Sequence, residues 1–381
     1  MKSDFSFRES KVKRIHSAMA EKKADALILG NWDNIRYATG FRWMPLIMSK
    51  TDFVFFVAVV PQDKDPILIV PRGDYSSARQ DYGLSDVRIA ELGPTGLSSS
   101  IEKVMQDYHL VGASIGIDND FFPATFYDQI VARLPSAYIG PAKEVLQEAR
   151  MIKLPVEIER IRRANQITEE CIQRMFEKAS PGVSEAELAA EGHYNALRQG
   201  AEAVESLIVA SGVNTGRIHY QRFATEKRLE RGDSLMIDMN AVVDGYCSDI
   251  TRTTFVGKPD PKMVEIYRTV FEASRRMKMA VRAGTEVCHI DEAARDFVNS
   301  MGYRENYDVT VYPGHGIGLS AIEEPHISNR EGFRTYTKAR AGMVLALEPG
   351  VYLDSWGVRI EDVVLVTDDG FEALSSDPPE M

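Results

Sequence analysis

The sequence predicts a two-domain chain, in which an α/β domain is followed by an α+β domain built from two similar halves. Strand-like and helix-like segments alternate through about the first 145 residues, a pattern typical of α/β domains. The rest reads as helix, helix, strand and hairpin, then helix, helix and strands, which indicates one unit used twice without a residue-level repeat of fixed period. A length of 381 residues is sufficient for both cores. We predict domains at residues 1–148 and 149–381.

Composition is that of an ordinary globular protein and argues against several kinds of partner. Hydrophobic residues make up 44% and charged residues 27% of the chain, and the net charge is -11. An acidic total without a long basic run argues against nucleic acid and anionic membrane surfaces. The first 23 residues are too polar for a signal peptide, and three widely spaced cysteines form neither a disulfide framework nor a zinc pattern. We therefore expect a cytoplasmic protein with no membrane span.

Local patterns predict the elements of the α/β domain. Amphipathic spacing predicts a helix at residues 10–23, and a further helix is predicted at residues 122–134. Residues 31–43, NWDNIRYATGFRW, are rich in turn-forming residues and predict a loop. Short apolar runs predict strands at residues 24–30, 53–60, 66–70 and 113–118.

The second domain begins after a junction at residues 144–151. A long amphipathic helix is predicted at residues 156–178, and Ser184 with Glu187 forms a capping box that starts the next helix. Residues 203–210 and 234–243 predict strands. Two more helices are predicted at residues 261–283 and 291–301, and strands with glycine-containing turns follow them.

The strand at residues 234–243 carries Asp238 in the middle of an apolar run, and Asp249 lies in the next strand. A buried aspartate is costly unless it is paired or binds a metal. An Asp-Gly turn signal separates the two strands, and any even-length loop keeps both carboxylates on one sheet face, opposite or diagonal. Two carboxylates so placed could bind a cation, or they could be solvated groups on the polar face of a hairpin.

The second half repeats this arrangement with glutamates. Glu348 follows an apolar run, Glu361 precedes another, and a pairing of the two centres on the turn-prone residues 353–357. His315 lies between the hairpins in a glycine-rich loop. Four clustered carboxylates without a cation would repel one another and take up protons, so divalent metals are expected. Oxygen ligands with one imidazole favour Mn²⁺, or Co²⁺ or Fe²⁺, over a structural zinc site.

Several motifs then match a known family. They are MIKLPVEIERIRRA (151–164), SGVNTGRIHY (211–220), IDMNAVVDGYCSDITRT (237–253), PGHGIGL (313–319), LEPGVY (347–352), GVRIEDVVLVT (357–367) and, in the first domain, NIRYATGF (34–41). The chain resembles the pita-bread fold family of creatinase, proline dipeptidase, aminopeptidase P and methionine aminopeptidase, with a creatinase-like N-terminal domain. This resemblance implies an α+β catalytic domain with pseudo-twofold repeat.

The resemblance also implies roles for individual residues. The five metal ligands of the peptidases match Asp238, Asp249, His315, Glu348 and Glu361. Asp249 and Glu361 would bridge two divalent ions, with Mn²⁺ favoured and Co²⁺, Fe²⁺ or Zn²⁺ as alternatives. His219 matches a histidine that contacts substrate and stabilises the transition state. In the creatinase branch a partner subunit closes the site, so a homodimer is expected.

One position departs from the family pattern. The peptidases usually carry a second histidine shortly after the glycine-rich loop, and Ile322 occupies that place here. His326 lies four residues later and is either its substitute or a surface residue. The departure weakens the expectation of a proline-peptide substrate and strengthens that of a non-peptide one.

Three functions are compatible with the sequence. The leading hypothesis is hydrolysis of Xaa-Pro dipeptides or N-terminal Xaa-Pro bonds by a metal-bound hydroxide, with Glu348 passing the proton to the leaving nitrogen. The alternative keeps the metals but acts on a small polar metabolite, by C–N hydrolysis of the creatinase type or as a lyase. Ile322 and the segment 36–43 motivate it. The third is a binding module without catalysis.

Overall fold

A computed structural model of the chain describes residues 5–42, 56–93, 95–217, 224–307 and 309–381. The chain divides into two compact units, Met1–Arg150 and Met151–Met381. Among the helices of these described segments, none combines the length and the apolar character needed to cross a membrane.

The first unit contains one mixed sheet. Its strands are β1 (Ala26–Leu29), β2 (Val57–Pro61), β3 (Ile67–Val70), β4 (Asp86–Ile89), β5 (Ser114–Ile117) and β6 (Tyr138–Pro141). They lie in the order β4-β3-β2-β1-β5-β6, with antiparallel pairing only at β1–β2 and β2–β3. The central strands β1 to β3 are buried along their whole length, which explains their continuous apolar runs.

Helices complete this unit. They are α1 (Phe5–Lys22), α2 (Trp32–Thr39), α3 (Tyr75–Asp81), α4 (Gly96–Asp107), α5 (Ala124–Arg133) and α6 (Lys143–Met151). Helices α4 and α5 pack on the sheet through apolar side chains such as Ile101, Val104 and Ile130. The alternation of strands and helices confirms the predicted α/β class.

The predicted loop at residues 31–43 is wrong over most of its described length, because α2 occupies residues 32–39. Asn31 is its N-cap, and the Asn31 side chain accepts hydrogen bonds from the amides of Asp33 and Asn34. The turn-forming residues thus mark the start of a helix. Helices α3, α4 and α6 were not predicted, and residues 43 and 53–55 of the predicted segments lie outside the described residues.

The second unit begins with two helices and three antiparallel strands. These are α7 (Pro155–Lys178), α8 (Glu185–Arg198), β7 (Ala203–Ser211), β8 (Ser234–Val243) and β10 (Ile250–Phe255), with the short β9 (Tyr246–Cys247) and a 3₁₀ turn at Gly212–Gly216. The sheet order is β10-β8-β7. The capping box of Ser184 and Glu187 forms as predicted. Apolar side chains of both helices pack against β7 and β8.

The same arrangement follows a second time. Its helices are α9 (Pro261–Ala280), α10 (Val287–Ser300) and the short α11 (Arg304–Tyr307), and its strands are β11 (Gly314–Gly316), β12 (Glu323–His326), β13 (Val344–Leu347), β14 (Gly350–Tyr352), β15 (Gly357–Arg359), β16 (Asp362–Val366) and β17 (Phe371–Ala373). The sheet order is β12-β11-β13-β16-β17, with β14 and β15 as a separate ribbon. Two helices precede antiparallel strands in both halves, which confirms the predicted internal repeat.

Candidate active site

The first hairpin brings Asp238 and Asp249 to one sheet face. A two-residue turn at Asp244-Gly245, with φ of 48° and 84°, joins β8 to β9 as Val243 pairs with Tyr246. The register places Asp238 opposite Thr251, and Asn240 Nδ2 donates to Asp249 Oδ1 at 2.6 Å, so the two acids are diagonal neighbours. The sequence had centred the hairpin one residue earlier, between residues 243 and 244. A register shift of two preserves the face, and for that reason the shared side was predicted correctly.

The second hairpin pairs Glu348 with Glu361. Leu347 lies opposite Asp362 in one ladder, and Gly350 lies opposite Arg359 in the next. Both ladders have the same register, so the two glutamates face each other in the gap between them, as the sequence suggested. Glu361 is 1% exposed, and its Oε2 accepts a hydrogen bond from Thr251 Oγ1 at 2.8 Å. The two hairpins therefore meet at this residue.

His315 lies in β11, between the hairpins. Its Nδ1 is 3.0 Å from the carbonyl oxygen of Gly316, which fits an Nδ1–H donor and leaves Nε2 to face the acids. Nε2 is 3.3 Å from Glu348 Oε1 and 3.7 Å from Asp249 Oδ2. One ligand atom each from Asp249, His315 and Glu361 lies within 4.8 Å of the others. The loop histidine therefore belongs to the same cluster as the acids.

Crowded, buried carboxylates have raised pKa values. Burial, followed by repulsion from Glu348 and Asp238, raises the pKa of Glu361 to about 8. Burial and three neighbouring acids raise the pKa of Asp249 well above its usual value. Burial opposes protonation of His315, but Glu348, Glu361 and the carbonyl of Gly316 together outweigh it and raise the pKa of His315. The site therefore carries excess negative charge that a cation would relieve.

Arg359 is a buried member of this cluster that the sequence reasoning missed. It is 4% exposed, its Nη2 donates to Asp238, its Nε donates to Thr251 Oγ1 at 3.0 Å, and its Nη1 donates to Tyr352 Oη at 3.2 Å. A signal did exist, because Arg359 precedes Glu361 by two residues and strand alternation puts both on one face. Burial raises the pKa of Asp238, and Arg359 partly offsets this.

The remaining predicted residues lie at the edge of this cluster or beyond the described chain. His326 is opposite His315 in the β11–β12 ladder, with its ring 4.8 Å from that of Tyr312 and its Nδ1 3.2 Å from Glu324 Oε2. Ile322, just before β12, is 58% exposed. His219 lies outside the described residues.

Family comparisons cover both units. Residues 159–368 match the description Metallopeptidase family M24, and residues 11–152 match the Creatinase/Prolidase N-terminal domain. The first match spans more than half of the chain and includes every residue of the cluster described above.

Individual relatives cover almost the whole chain. The chain is 30% identical over 373 residues to the Xaa-Pro dipeptidase of Pyrococcus horikoshii, covering 97% of this chain and 98% of the relative. It is similar to the structure of the Xaa-Pro dipeptidase from Bacillus anthracis, with TM-score 0.86, 29% identity and coverage of 98% and 99%. The X-Pro aminopeptidase from Thermotoga maritima gives TM-score 0.83, 28% identity and coverage of 97% and 98%. With this fold and these matches, the chain belongs to metallopeptidase family M24.

Proposed function

We propose that this metal-dependent hydrolase cleaves the Xaa-Pro bond of dipeptides or of the N-terminus of short peptides. The observation that carries the proposal is the convergence of two acid-bearing hairpins and His315 on one buried cluster. Relatives along the whole chain, named Xaa-Pro dipeptidase or X-Pro aminopeptidase, supply the substrate class. The substrate is accordingly a small peptide.

Membership of the family implies divalent metal ions, and the donor set fits them. The five residues that would hold the ions are Asp238, Asp249, His315, Glu348 and Glu361. Four carboxylates with one imidazole favour Mn²⁺, with Co²⁺, Fe²⁺ or Zn²⁺ as alternatives. The raised pKa values of Asp249 and Glu361 support this assignment, because burial and the neighbouring carboxylates outweigh the cations around these two groups. When bound, the ions supply a water that ionises near neutral pH and polarise the scissile carbonyl.

The exposure of the acidic side chains to solvent suggests which of them exchanges protons with substrate. The Glu348 side chain is 18% exposed, against 8% for Asp249, so Glu348 is the acid best placed to exchange a proton with substrate. We assign to it the transfer of a proton to the leaving nitrogen. His326, half-buried beside His315, is proposed as a substrate-facing group, and His219 as a donor to the carbonyl oxygen.

Three further proposals concern the whole chain. We assign residues 1–148 to the creatinase-like domain and residues 149–381 to the pita-bread catalytic domain. The family resemblance supports a homodimer, and three free, buried cysteines support a reducing, cytoplasmic location.

The test is hydrolysis of three substrates by protein loaded with Mn²⁺: an Xaa-Pro dipeptide, an Xaa-Pro-Xaa tripeptide and creatine. We expect cleavage of at least one proline peptide and none of creatine. Glu348→Gln should lower kcat by about 10²–10⁴-fold, the range for loss of a proton-transfer group. The exposed Glu331 provides a matched control, and Glu331→Gln should leave kcat unchanged. Cleavage of creatine alone would favour the metabolite hypothesis.

A further inference from the structure

A buried ion network lies directly behind Glu361. Asp362, the next residue in the chain, is 1% exposed. One of its oxygens accepts a hydrogen bond from Arg252 Nη2 at 2.8 Å, and the other accepts from Lys278 Nζ at 2.8 Å and from Ser274 Oγ at 3.0 Å. Both cationic side chains are themselves less than a tenth exposed. The hydrolysis proposed above uses none of these groups.

The network extends to Glu361 itself. Arg252 Nη1 donates to the carbonyl oxygen of Glu361 at 2.5 Å. The amide of Glu361 donates to the carbonyl oxygen of Thr251 at 3.0 Å, and its carboxylate accepts from the Thr251 hydroxyl. Two consecutive residues of β10 thus hold the amide, the carbonyl and the carboxylate of Glu361.

Residues 375–377, which follow β17, also belong to this network. Ser375 Oγ donates to Asp362 Oδ1 at 3.2 Å and accepts from the amide of Val363 at 3.0 Å. The carbonyl oxygen of Ser376 accepts from Arg252, and the carboxylate of Asp377 accepts from Lys278. Ser376 and Asp377 therefore hold the same two cations that Asp362 holds, and Ser375 holds Asp362 itself.

We propose that Asp362 is a positioning residue for Glu361. Its carboxylate fixes the guanidinium of Arg252, which in turn holds the backbone of Glu361 so that the carboxylate is directed towards Asp249 and His315. Without this anion, Arg252 would keep, among the described residues, only backbone carbonyls and the carboxylate of Glu169, 3.9 Å away, as partners, and its guanidinium would be free to turn away from Glu361. This inference rests on the proposed role of Glu361 as a metal ligand. Groups that orient ligands from behind typically contribute about 10–100-fold to metal affinity.

The main test compares Asp362→Asn with a control elsewhere in the same unit. Asp291 is also a fully buried aspartate, paired with Arg295 and Tyr307, and it contacts none of the proposed ligands. The readouts are Mn²⁺ affinity by titration calorimetry and the visible absorption of the Co²⁺-loaded protein. We expect Asp362→Asn to weaken Mn²⁺ binding by about 10–100-fold and to change the Co²⁺ spectrum. Asp291→Asn should lower stability and leave both readouts as in the wild type.

A second variant covers the case in which Asp362→Asn does not fold. Arg252→Lys keeps a cation beside Asp362 but removes the fork that also reaches Glu361, so it should weaken Mn²⁺ binding in the same direction. Unchanged affinity in the folded variants, or an equal loss in Asp291→Asn, would overturn the inference while leaving the metal site intact. A wild-type protein that binds no Mn²⁺ would overturn the proposed metal site as well.

Discussion

The acid cluster makes the stability of the metal-free protein depend on pH. The unfolded chain ionises Glu361 near its ordinary pKa of 4.5, whereas the folded, metal-free site holds that pKa at about 8. A group whose pKa is raised by folding contributes stability that is complete below the unfolded pKa and is lost as pH rises through the folded pKa. We therefore expect metal-free protein to lose stability from about pH 4.5 to pH 8.

The magnitude follows from the two pKa values. The interval from 4.5 to about 8, at about 1.4 kcal/mol per pKa unit, corresponds to about 5 kcal/mol for Glu361. Asp249 and Asp238 act in the same direction, since burial raises the pKa of both. The raised pKa of His315 adds a contribution that is also lost as pH rises. A bound divalent cation replaces the protons, so its binding should release protons and strengthen with pH.

The assay is denaturant unfolding at pH 5, 6, 7 and 8, with chelator or with excess Mn²⁺. Metal-free protein should lose about 1.4 kcal/mol per pH unit for each group that titrates, and Mn²⁺ should remove most of this slope. Glu361→Gln should lower the slope by about one such increment. Calorimetry in two buffers of different ionisation enthalpy counts the protons released. Metal-free stability that is constant or rises from pH 5 to 8, with no protons released by Mn²⁺, would refute the reasoning.

Three further predictions test single contacts. Arg359→Met removes the cation bonded to Asp238 and should lower the free energy of unfolding by about 3–5 kcal/mol, measured in urea; an unchanged midpoint would contradict this. Burial raises the pKa of Asp118 from 3.8 to about 6, so the first unit should lose up to about 3 kcal/mol as pH rises through that range. Amide hydrogen exchange in β1 should speed up as this stability is lost, and Asp118→Asn should abolish the pH dependence. A pH dependence retained in the variant would exclude Asp118 as its cause. A Cβ at Gly316 would lie 2.3 Å from the carbonyl oxygen of Glu324, so Gly316→Ala should separate β12 from β11. Because His326 lies in β12, this separation should raise KM for the peptide substrate. A variant with the KM of the wild type would show that His326 does not face substrate.

Sequence reasoning succeeded for the faces of the strands, because an even or odd residue spacing alone decides which side chains share a face. Alternation in strands fixes which side chains share a face, so Asp238 and Asp249 were placed together although the assumed register was wrong by two. The same argument paired Glu348 with Glu361 because the turn lies midway between them. Residue composition misled for α2, because the turn-forming residues of 31–43 were assigned to a loop although Asn31 caps a helix.

Local sequence patterns cannot predict which side chains pair across long separations in the chain. Arg252 and Asp362 are 110 residues apart, and nothing near either residue indicates the other. Arg359 is a different case, because its position two residues before Glu361 placed it on the acid face. Arg359 was missed because only acidic residues and histidines were considered as site residues. A buried cluster of acids also requires positively charged side chains that pair with them.

The charges of the cluster show why its protons and metals are linked. Asp238, Asp249, Glu348 and Glu361 bring four negative charges when ionised, and among the described residues Arg359 is the one guanidinium bonded to any of these carboxylates. With His315 neutral, three negative charges remain uncompensated in a buried site. Proton uptake by Glu361 and Asp249 relieves part of this excess, which is the physical cause of their raised pKa values. Divalent cations relieve the same excess, so protons and metal ions compete for one set of carboxylate oxygens. The protein is therefore least stable when the site binds neither protons nor metal ions.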